Sequence, residues 1–570
     1  TANNIPEDGK LYEPDRKEDG TFAFDENGEP YDYNGDGLVE NLIADPQNDT
    51  NGWFHGLGDR GDDSSRYGYR YKDLGSLADF SQENQNVAAY LEQATLFWAD
   101  MGVNGIRHDA TLHMDAAFAK GLKDAVDSHN TITQFGEFFI GRPDPKYDEY
   151  VYFPKQTGIN NLDFEFYRAA SATFGDFSTT MADFGNMLQY TQDDYDYENQ
   201  AVTFLDNHDV TRFGYTQRSQ KTYNAALATL LTSRGVPNIY YGTEQYVVPA
   251  DGSDVSGRIF MQTDSSFDTD TTAYKLIGKL SELRQQNDAI AYGTTTIRYS
   301  NDDVLIYERK FYDDVILVAI NRQPDKAYTI DNVETLLPEG EYVDFLGGML
   351  NGENISVYAS TGINTTASIT LDGGEVGIWQ YDAAANAPEI GNVVSTMGRA
   401  GNRVYIYGDG LDGNISVKFG ETEATVESNT ANEIVTYVPD NAVAGYNDIT
   451  VTKGDAVSNS FTYNVLSGDQ NQVIFHVKAE TSYGENFYIV GNVPELGSWN
   501  PDKCTEALLN PNYPEWFLPV SVPAGTEIQF KFIKKDANGT VTWESGDNRV
   551  ITSSSLSAGT VDTEVYTWRN

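Results

Sequence analysis

The sequence has one cysteine, Cys504, among its 570 residues, so no disulfide can form within the chain. Basic residues are also scarce: 38 lysines and arginines stand against 86 aspartates and glutamates, which gives a net charge of −48. This excess of acid argues against nucleic acid or an anionic membrane as a partner. Because salt screens repulsion between surface charges, we interpret the composition as that of a halophilic protein, with an ordinary acidic secreted protein as the alternative.

Long apolar runs and paired histidines are missing as well. No stretch is apolar for long enough to cross a membrane, and Thr1 does not begin a signal peptide, which predicts a processed or incomplete N-terminus. The six histidines have no paired spacing, which argues against a zinc site. Residues 1–76 lack the strand–helix repeat of about 30 residues that a βα-barrel unit needs.

Three β-prone runs end in acidic residues. In GVNGIRHDA (residues 102–110), read as a strand, Arg107 and Asp109 point the same way because side chains alternate. QFGEFF places Glu137 after a second run, and VTFLDNHD ends a third with Asp209. Helix-like stretches lie between these runs, which predicts a βα-barrel with its acids at the C-terminal strand ends. A guanidinium beside an aspartate favours the ionised form that a nucleophile needs; a structural ion pair is the alternative.

The three motifs resemble those of a known family. GIRHDA, FGEFF and FLDNHD resemble the nucleophile, acid/base and stabiliser motifs of the α-amylase family (glycoside hydrolase family 13). GVPNIYYGTEQ resembles that family's eighth barrel strand, and the resemblance, closest to cyclodextrin glucanotransferases, runs through almost the whole chain. It implies retaining catalysis by two carboxylates about 5–5.5 Å apart, with Asp109 as nucleophile, Glu137 as general acid/base and Asp209 as stabiliser of the transition state.

The resemblance also implies residues that contact substrate around these acids. His208 is expected to hydrogen-bond sugar hydroxyls, and His113 and Phe139 match positions on the acceptor side. Arg107 completes the expected substrate-binding set of the catalytic domain. His108, which faces away from the nucleophile on the strand, is expected to be a packed structural histidine.

Calcium is the one cofactor that the resemblance implies. Asp79 in LADF matches a ligand of the family's structural calcium, and the backbone carbonyl of His113 matches another. A third ligand, an asparagine, belongs to a family motif with no counterpart in this sequence, so the expected site is incomplete. DYNGDGLVE (residues 32–40) also spaces its oxygen side chains like a calcium loop, with a solvated turn loop as the alternative because Ile43 occupies the twelfth position.

The predicted fold is multidomain: an incomplete (β/α)8 TIM barrel that supplies the fourth to eighth strands, plus three all-β domains. The resemblance places the start of the chain in the loop domain that follows the third barrel strand, so either the first three strands come from elsewhere or the chain is a fragment. The expected boundaries are 1–76 for that loop domain (B), 77–290 for the barrel (A), 291–384 for an antiparallel β domain (C), 385–467 for an immunoglobulin-like domain (D) and 468–570 for a starch-binding domain (E).

The last domain resembles the family-20 starch-binding module through NVPELGSWNP, YPEWF, VPAGTEIQFKFIKK and VTWESGDN. One sugar site is matched by Trp499, Lys531, Trp543 and Asn548, and a second by Tyr513. Exposed aromatic faces suit stacking on sugar rings, and turn-rich loops are where binding residues concentrate. The alternative is that these aromatic residues belong to the core, as we expect for Trp516.

We predict an extracellular, monomeric enzyme acting on starch and maltooligosaccharides, mainly by α-amylase-type hydrolysis with some transglycosylation. The five-domain layout favours the alternative of a cyclodextrin glucanotransferase. Two departures favour hydrolysis: Gly75 stands where cyclising relatives carry a central tyrosine or phenylalanine, and Leu112 where they carry a lysine that contacts the acceptor. A further alternative is a catalytically inactive starch-binding fragment, because three barrel strands have no counterpart.

Overall fold

The structure is a computed structural model that describes residues 4–6, 10–19, 21–217, 219–261, 266–555 and 559–570. The chain divides into two compact units, one made of Thr1–Ile132 and Leu466–Asn570, the other of Thr133–Val465. Within the described residues, no helix has the length and apolar character needed to span a membrane. Cys504 is half-buried and unoxidised.

The first unit begins with short strands separated by turns. Leu11–Pro14 pairs with Glu40–Ala44, and Asn4–Pro6 pairs with Leu77–Asp79, both antiparallel. In the acidic loop between them, Asp32 accepts hydrogen bonds from the backbone N–H groups of Gly35 and Gly37. Asp36 accepts one from the N–H of Leu38, two residues on, and so closes an Asx turn.

Apolar periodicity predicts helices over residues 87–100 and 116–126, on either side of the Gly105–His108 strand, and both are present. Gln85–Asp100 precedes the strand and is capped by the Asn84 side chain, while Ala116–His129 follows it and is capped by the Asp115 side chain. Their apolar faces meet in one buried cluster with the short Leu77–Asp79 strand. His108 is 4% exposed, which agrees with the packed position expected for it. The shorter helical segments of this part are Arg66–Tyr71 and the 3₁₀ turn Thr111–His113.

The starch-binding-like part of the first unit consists of two four-stranded sheets with a shared core. Trp516 lies in that core with 2% exposure, and its indole N–H donates to the Ala479 carbonyl at 2.9 Å, so its expected core position is confirmed. One sheet contains Leu509–Asn512, Glu515–Pro523, Gln470–Lys478 and Thr560–Thr567, and the other contains Asn486–Gly491, Glu527–Lys535, Val541–Trp543 and Arg549–Thr552. The 3₁₀ segments are Pro494–Trp499 and Pro501–Lys503.

The second unit opens with short parallel strands of the barrel type. Thr133–Gly136 pairs with Asn160–Asn161, Leu162 bridges to Val202, and Val202–Phe204 pairs with Val236–Asn238. The helices of this part are Tyr147–Thr157, Phe164–Ala170, Met181–Asp194, Phe213–Thr216, Gln220–Thr232, Asp254–Gly257, Thr272–Gln286 and Asp288–Tyr292. Leu276, Leu280 and Leu283 are each 0% exposed, as their helical spacing predicts.

One strand lies elsewhere than expected. The sequence predicts the sixth barrel strand at Leu162–Phe164, whereas the strand is Asn160–Asn161 and a helix begins at Phe164. The cause is Asp163, whose carboxylate caps that helix by accepting from the Phe166 N–H and also binds the buried Arg234 at 2.6 Å.

Two all-β domains complete the second unit. Asp314–Asn321 is apolar almost throughout because both faces are covered: Ile316 and Val318 meet the helices of the barrel part, and Val315 and Leu317 meet the other β-strands. The first domain has Thr294–Ser300, Val304–Phe311, Asp314–Asn321, Tyr328–Ile330, Glu334–Thr335, Gly340–Tyr342, Ile355–Tyr358, Asn364–Thr366, Ile369–Leu371 and Val376–Tyr381. The second, a sandwich, has Glu389–Val394, Met397–Arg399, Arg403–Asp409, Ile415–Phe419, Thr422–Ala424, Val426–Asn429, Glu433–Tyr437, Gly445–Lys453, Ala456–Val457 and Phe461–Leu466.

The expected all-β domains are thus present, as is a strand ahead of each predicted catalytic acid. The further expectation, that the first three barrel strands are lacking, stays a prediction.

Candidate active site and sugar-binding surfaces

Asp109 follows directly on the Gly105–His108 strand, where the chain turns sharply. Ala110 has a left-handed backbone with φ of 50°, and the chain then enters the Thr111–His113 turn. The Arg107 guanidinium donates to Asp109 Oδ1 at 2.8 Å, so the two side chains meet as strand alternation predicts. The carboxylate is 32% exposed and therefore combines a fixed position with access from solvent.

His113 lies on the turn after Asp109 with little exposure. Burial lowers the pKa of His113 to about 4, so its imidazole is neutral near pH 7 and offers one donor and one acceptor. The ring meets the Tyr69 ring edge-to-face with centroids 5.2 Å apart. On its other side Tyr69 is covered by the Arg60 guanidinium, whose carbon lies 4.3 Å from the ring centroid.

The two expected calcium donors already have protein partners. Asp79 Oδ2 lies 2.8 Å from His55 Nδ1, and the other ring nitrogen of His55 lies 3.0 Å from Glu83 Oε2. Burial alone would lower the pKa of His55, but these two hydrogen bonds raise it to about 10, so the ring is a cation at Asp79. The His113 carbonyl accepts a hydrogen bond from Gln82 at 3.5 Å.

Calcium takes about six to eight oxygen ligands, and the Asp79 carboxylate and the His113 carbonyl fall short of that number. Among residues 4–6, 10–19, 21–217, 219–261, 266–555 and 559–570, no group of three or more His, Cys, Asp or Glu side chains could hold a metal ion. The residues present therefore do not fit a complete calcium site, and no catalytic step below depends on one.

Glu137 follows the Thr133–Gly136 strand in the second unit and is 9% exposed. Its neighbour Phe138 is buried, while Phe139 is 46% exposed with its ring centroid 4.3 Å from that of Phe164. A nearly dry carboxyl group beside an open aromatic ring suits a group that must hold a proton until a sugar binds.

Asp209 lies in a loop that its neighbours hold in shape. Asp206, buried, accepts from the Phe213 N–H at 2.8 Å, and Asn207 accepts from the Asp209 N–H at 2.8 Å. Burial raises the pKa of Asp206. Asp209 itself is 38% exposed, and its Oδ2 lies 2.8 Å from His208 Nε2.

One cation that contacts this loop, Arg258, was not found by the sequence analysis. Arg258 donates to Asp209 Oδ1 at 3.1 Å and to the His208 carbonyl at 2.9 Å. It is also paired with Asp254 four residues earlier at 2.9 Å. Arg258 is 49 residues from Asp209 in sequence, so no local pattern signals the contact.

The parallel strands bring Glu137 and the Asp209 loop to one edge of the second unit. Each follows the C-terminal end of its strand, and the Asn160–Asn161 strand with Leu162 lies between them. The C-terminal ends of parallel strands meet at the same edge, where active sites of such folds form. Phe164 contributes to the contact, because its ring meets both Phe139 and Phe204.

The predicted first sugar site gathers along the outer face of the Glu527–Lys535 strand. Lys531 donates to the carbonyls of Glu544 and Gly546, which follow Trp543, at 3.1 and 2.7 Å. Asn548 donates to Gln529 on the same strand at 3.3 Å. Trp543 pairs with Ile533 and is 41% exposed.

Trp499 is connected to the Glu527–Lys535 strand through the nearby Pro501. Lys535, at the end of that strand, donates to the Pro501 carbonyl at 2.8 Å and pairs in register with Val541. Trp499 lies two residues before Pro501. Lys531, Trp543 and Asn548 therefore lie on or beside one strand, while Trp499 is joined to it only through Pro501.

Tyr513 is separately placed, with its hydroxyl fixed and its ring open. The hydroxyl accepts from the Thr481 N–H at 2.9 Å, and the ring meets the edge of Trp516. Its side chain is 51% exposed, so part of the ring surface faces solvent.

The two positions that favour hydrolysis differ in their surroundings. Gly75 has φ of +63°, and no heavy atom lies within 4 Å of where its Cβ would be. Leu112 is 6% exposed and belongs to the interior. Of the nearby tyrosines, Tyr69 packs on His113, and Tyr67 and Tyr71 contact each other with centroids 5.2 Å apart.

Four family models match consecutive parts of the chain. They are described as "Alpha amylase, catalytic domain" (residues 43–254), "Alpha amylase, C-terminal all-beta domain" (298–382), "IPT/TIG domain" (388–466) and "Starch binding domain" (470–563).

Curated relatives match almost the entire chain. It is 45% identical over 556 residues to a cyclomaltodextrin glucanotransferase of Thermoanaerobacterium thermosulfurigenes, which covers 96% of this chain and 75% of that protein. Identity to the enzyme of the same description from Geobacillus stearothermophilus is 41%, with the same coverage. Among solved structures, the γ-CGTase of alkalophilic Bacillus clarkii is similar with a TM-score of 0.84 and 39% identity, covering 97% of this chain and 79% of that one.

Proposed function

Because this chain belongs to the α-amylase family, we propose that it is a retaining enzyme that transfers segments of α-1,4-glucan in the manner of a cyclodextrin glucanotransferase. The observation that carries the proposal is its 45% identity, over 96% of its length, to a protein described as a cyclomaltodextrin glucanotransferase. The relatives therefore favour what the sequence analysis held as the alternative over hydrolysis as the main activity.

The first half of the reaction uses Asp109 and Glu137. Asp109 attacks the anomeric carbon of the donor glucan, and Glu137 gives its proton to the departing glycosidic oxygen, which leaves as the 4-hydroxyl of the released chain. A glycosyl ester on Asp109 and an ionised Glu137 result. The hydrogen bond from Arg107 supports this role, because it fixes the orientation of the Asp109 carboxylate.

The second half reverses these roles. Glu137 takes a proton from the acceptor hydroxyl, whose oxygen attacks the anomeric carbon and releases Asp109. In transfer the acceptor is the 4-hydroxyl of a glucan, and in cyclisation it belongs to the far end of the bound chain. We assign the acceptor side to neutral His113 and to the open ring of Phe139.

Asp209 and His208 bind the sugar ring that becomes positively charged. An exposed carboxylate held by Arg258 can accept hydrogen bonds from sugar hydroxyls and offset developing charge, which is worth most in the transition state. His208 lies beside it to hydrogen-bond the same ring.

Water competes with the acceptor for the glycosyl enzyme, and Gly75 and Leu112 favour water. Neither residue offers an aromatic surface or a donor to an incoming glucan. This observation supports a second candidate activity, release of mainly linear maltooligosaccharides.

Chromatography of the early products from soluble starch tests the proposal. We expect cyclic glucans and chain-length redistribution to exceed new reducing ends. Reducing ends that account for all cleaved bonds from the first minutes would favour the second candidate. Gly75→Tyr should then raise the cyclic fraction, since space is open there, at a strain of about 1–2 kcal/mol for the left-handed backbone.

The C-terminal module, as we propose, binds starch at two places: Trp499, Lys531, Trp543 and Asn548 form one, and Tyr513 the other. The support is the match to a starch-binding family over residues 470–563 and the exposure of Trp543 and Tyr513. The five domain boundaries of the sequence analysis are part of the same proposal. The strong negative charge supports action on starch outside the cell at high salt.

A further inference from the structure

The short Arg66–Tyr71 helix lies between the turn that carries His113 and the starch-binding module, all within the first unit. One side of the helix presents Tyr69, whose ring meets His113 and whose carbonyl accepts a hydrogen bond from that imidazole. The other side presents Arg70 and Tyr71 to the module. A six-residue helix is too short to be stable by itself, so its position depends on these neighbours.

Arg70 makes a largely buried ion pair with the module. Its guanidinium lies 3.3 Å from Glu506 Oε1, with side-chain exposures of 6% for Arg70 and 16% for Glu506. Beside the pair, the rings of Tyr71 and Phe517 have centroids 5.5 Å apart. A desolvated ion pair flanked by apolar contact fixes geometry more firmly than an exposed one.

The helix moves as one piece because Asp63 is bound to both of its ends. Its carboxylate accepts a hydrogen bond from the Ser65 N–H before the first turn and binds Lys72 after the last turn at 2.9 Å. The Ser65 side chain caps the helix through the Gly68 N–H, and a Cβ on Gly68 would lie 2.6 Å from Asp63. A displacement at Arg70 must therefore move Tyr69 as well.

We propose that Arg70 is a positioning residue for the acceptor half of glucan transfer. Through the Arg66–Tyr71 helix, the docked starch-binding module holds Tyr69 and His113 where an acceptor chain, rather than water, reaches the glycosyl enzyme. This inference rests on the function proposed above and adds to it that the module acts on product choice as well as on starch binding.

The test compares Arg70→Gln and Glu506→Gln with Glu515→Gln in the full-length enzyme. Glu515 pairs with Lys478 in the same module, but both are about half-exposed, so it is the matched control. We expect the two buried-pair variants to lower the ratio of transfer to hydrolysis about tenfold, because a small misplacement of an acceptor-binding group has a large effect on rate. Hydrolysis turnover and starch binding should stay within about twofold of the unaltered enzyme.

Arg70→Lys, which keeps a positive charge beside Glu506, should retain most of the ratio that Arg70→Gln loses, which a general loss of stability would not explain. A ratio that changes no more than in Glu515→Gln, or hydrolysis that falls in parallel with transfer, would overturn the inference.

Hydrogen–deuterium exchange gives a readout that does not need activity. Arg70→Gln should speed exchange at Arg66–Tyr71 and also at Thr111–His113, while Glu515→Gln should alter neither. Unchanged exchange at Thr111–His113 would refute the coupling even if the enzyme is active. An unaltered enzyme that cleaves no α-1,4-glucan would refute the proposed function, and the exchange result would still decide whether the coupling exists.

Discussion

Asp109 and Asp209 are carboxylates of similar exposure, and each is bound by an arginine. The arginine that binds Asp109 is close to it in sequence, whereas the one that binds Asp209 is distant. Asp109 is 32% exposed and is held by Arg107 from the same strand end. Asp209 is 38% exposed and is held by Arg258, 49 residues further on. The first arrangement follows from strand alternation alone, whereas the second exists only when the Asp254–Gly257 helix has folded against the loop.

The difference implies that the two carboxylates tolerate different amounts of movement. A nucleophile must meet one carbon along one line, which a short, local ion pair can enforce. A group that binds hydroxyls and offsets charge tolerates more movement, so its support can come from a solvent-facing loop. We therefore expect substitutions at Asp109 to abolish turnover and substitutions around Asp209 to shift it.

Loss of the carboxylates should have the largest effect. Asp109→Asn and Glu137→Gln should each lower kcat on soluble starch by about 10⁴ or more, because each group makes or breaks a bond. Asp209→Asn should cost about 10²–10³, the usual effect of one electrostatic contact to the transition state. Raw-starch binding by all three should be unchanged, and near-normal turnover in any of them would remove its assigned role.

Substitution of the two arginines tests the comparison between Asp109 and Asp209 more directly. Arg107→Gln should lower kcat about 10²-fold, since Asp109 loses its fixed orientation. Arg258→Gln should lower kcat less, by about tenfold, because His208 and Asp209 lose a shared donor in a loop that tolerates more movement. Steady-state kinetics on maltooligosaccharides separates the two outcomes; an equal effect of both variants on kcat would mean that the two supports do not differ as described.

Substitution in the C-terminal module should change binding but not chemistry. Trp499→Ala with Trp543→Ala should weaken granule binding by about 1–3 kcal/mol per ring, by analogy with base stacking on aromatic side chains. Val565→Ala, at an exposed position of the same module, is the control. Turnover on short soluble oligosaccharides should be unaffected, and granule binding equal to that of the control would place the sugar site elsewhere.

A smaller effect, on stability, is expected in the second unit, where several carboxyl groups lie close together. Burial and the neighbouring Asp409, Asp314 and Asp382 raise the pKa of Asp288 to about 7, and burial with neighbouring acids that include Asp314 and Asp409 raises that of Glu389 to about 7. The folded protein thus keeps protons that the unfolded chain releases above about pH 4, so stability falls as pH rises from about 4 to 7.

Asp288→Asn should remove part of this loss and raise Tm at pH 8 by about 2–4 °C, while changing little at pH 5. Asp440→Asn, at an exposed position of the next domain, is the control. Differential scanning calorimetry in low salt measures both. A Tm gain at pH 5 as large as at pH 8 would show that repulsion among these groups is not the cause.

How much the sequence could predict follows from which contacts are local. The helices around Asp109, the alternation that joins it to Arg107 and the burial of Trp516 depend on periodicity and neighbouring residues, and the structure agrees with them. The end of the Asn160–Asn161 strand depends on Arg234, which is 71 residues from Asp163, and so was predicted three residues too late.

The contacts that escaped prediction join distant segments. Arg258 with Asp209 and Arg70 with Glu506 are 49 and 436 residues apart, and no spacing rule reaches so far. The calcium expectation met a similar limit: LADF marks Asp79 by resemblance, but the sequence does not indicate that His55 and Glu83 bind around it.

The most direct test of the account is to trap the glycosyl enzyme. A 2-deoxy-2-fluoro maltooligosaccharyl fluoride should form the ester quickly and hydrolyse it slowly, because fluorine at C2 destabilises the positively charged transition state. After pepsin digestion, mass spectrometry should find one added fluoro-maltooligosaccharyl group on the peptide that contains Asp109, and Asp109→Asn should take up none. A label on another carboxylate, or no label on an enzyme that turns over starch, would contradict the assignment of Asp109 as nucleophile.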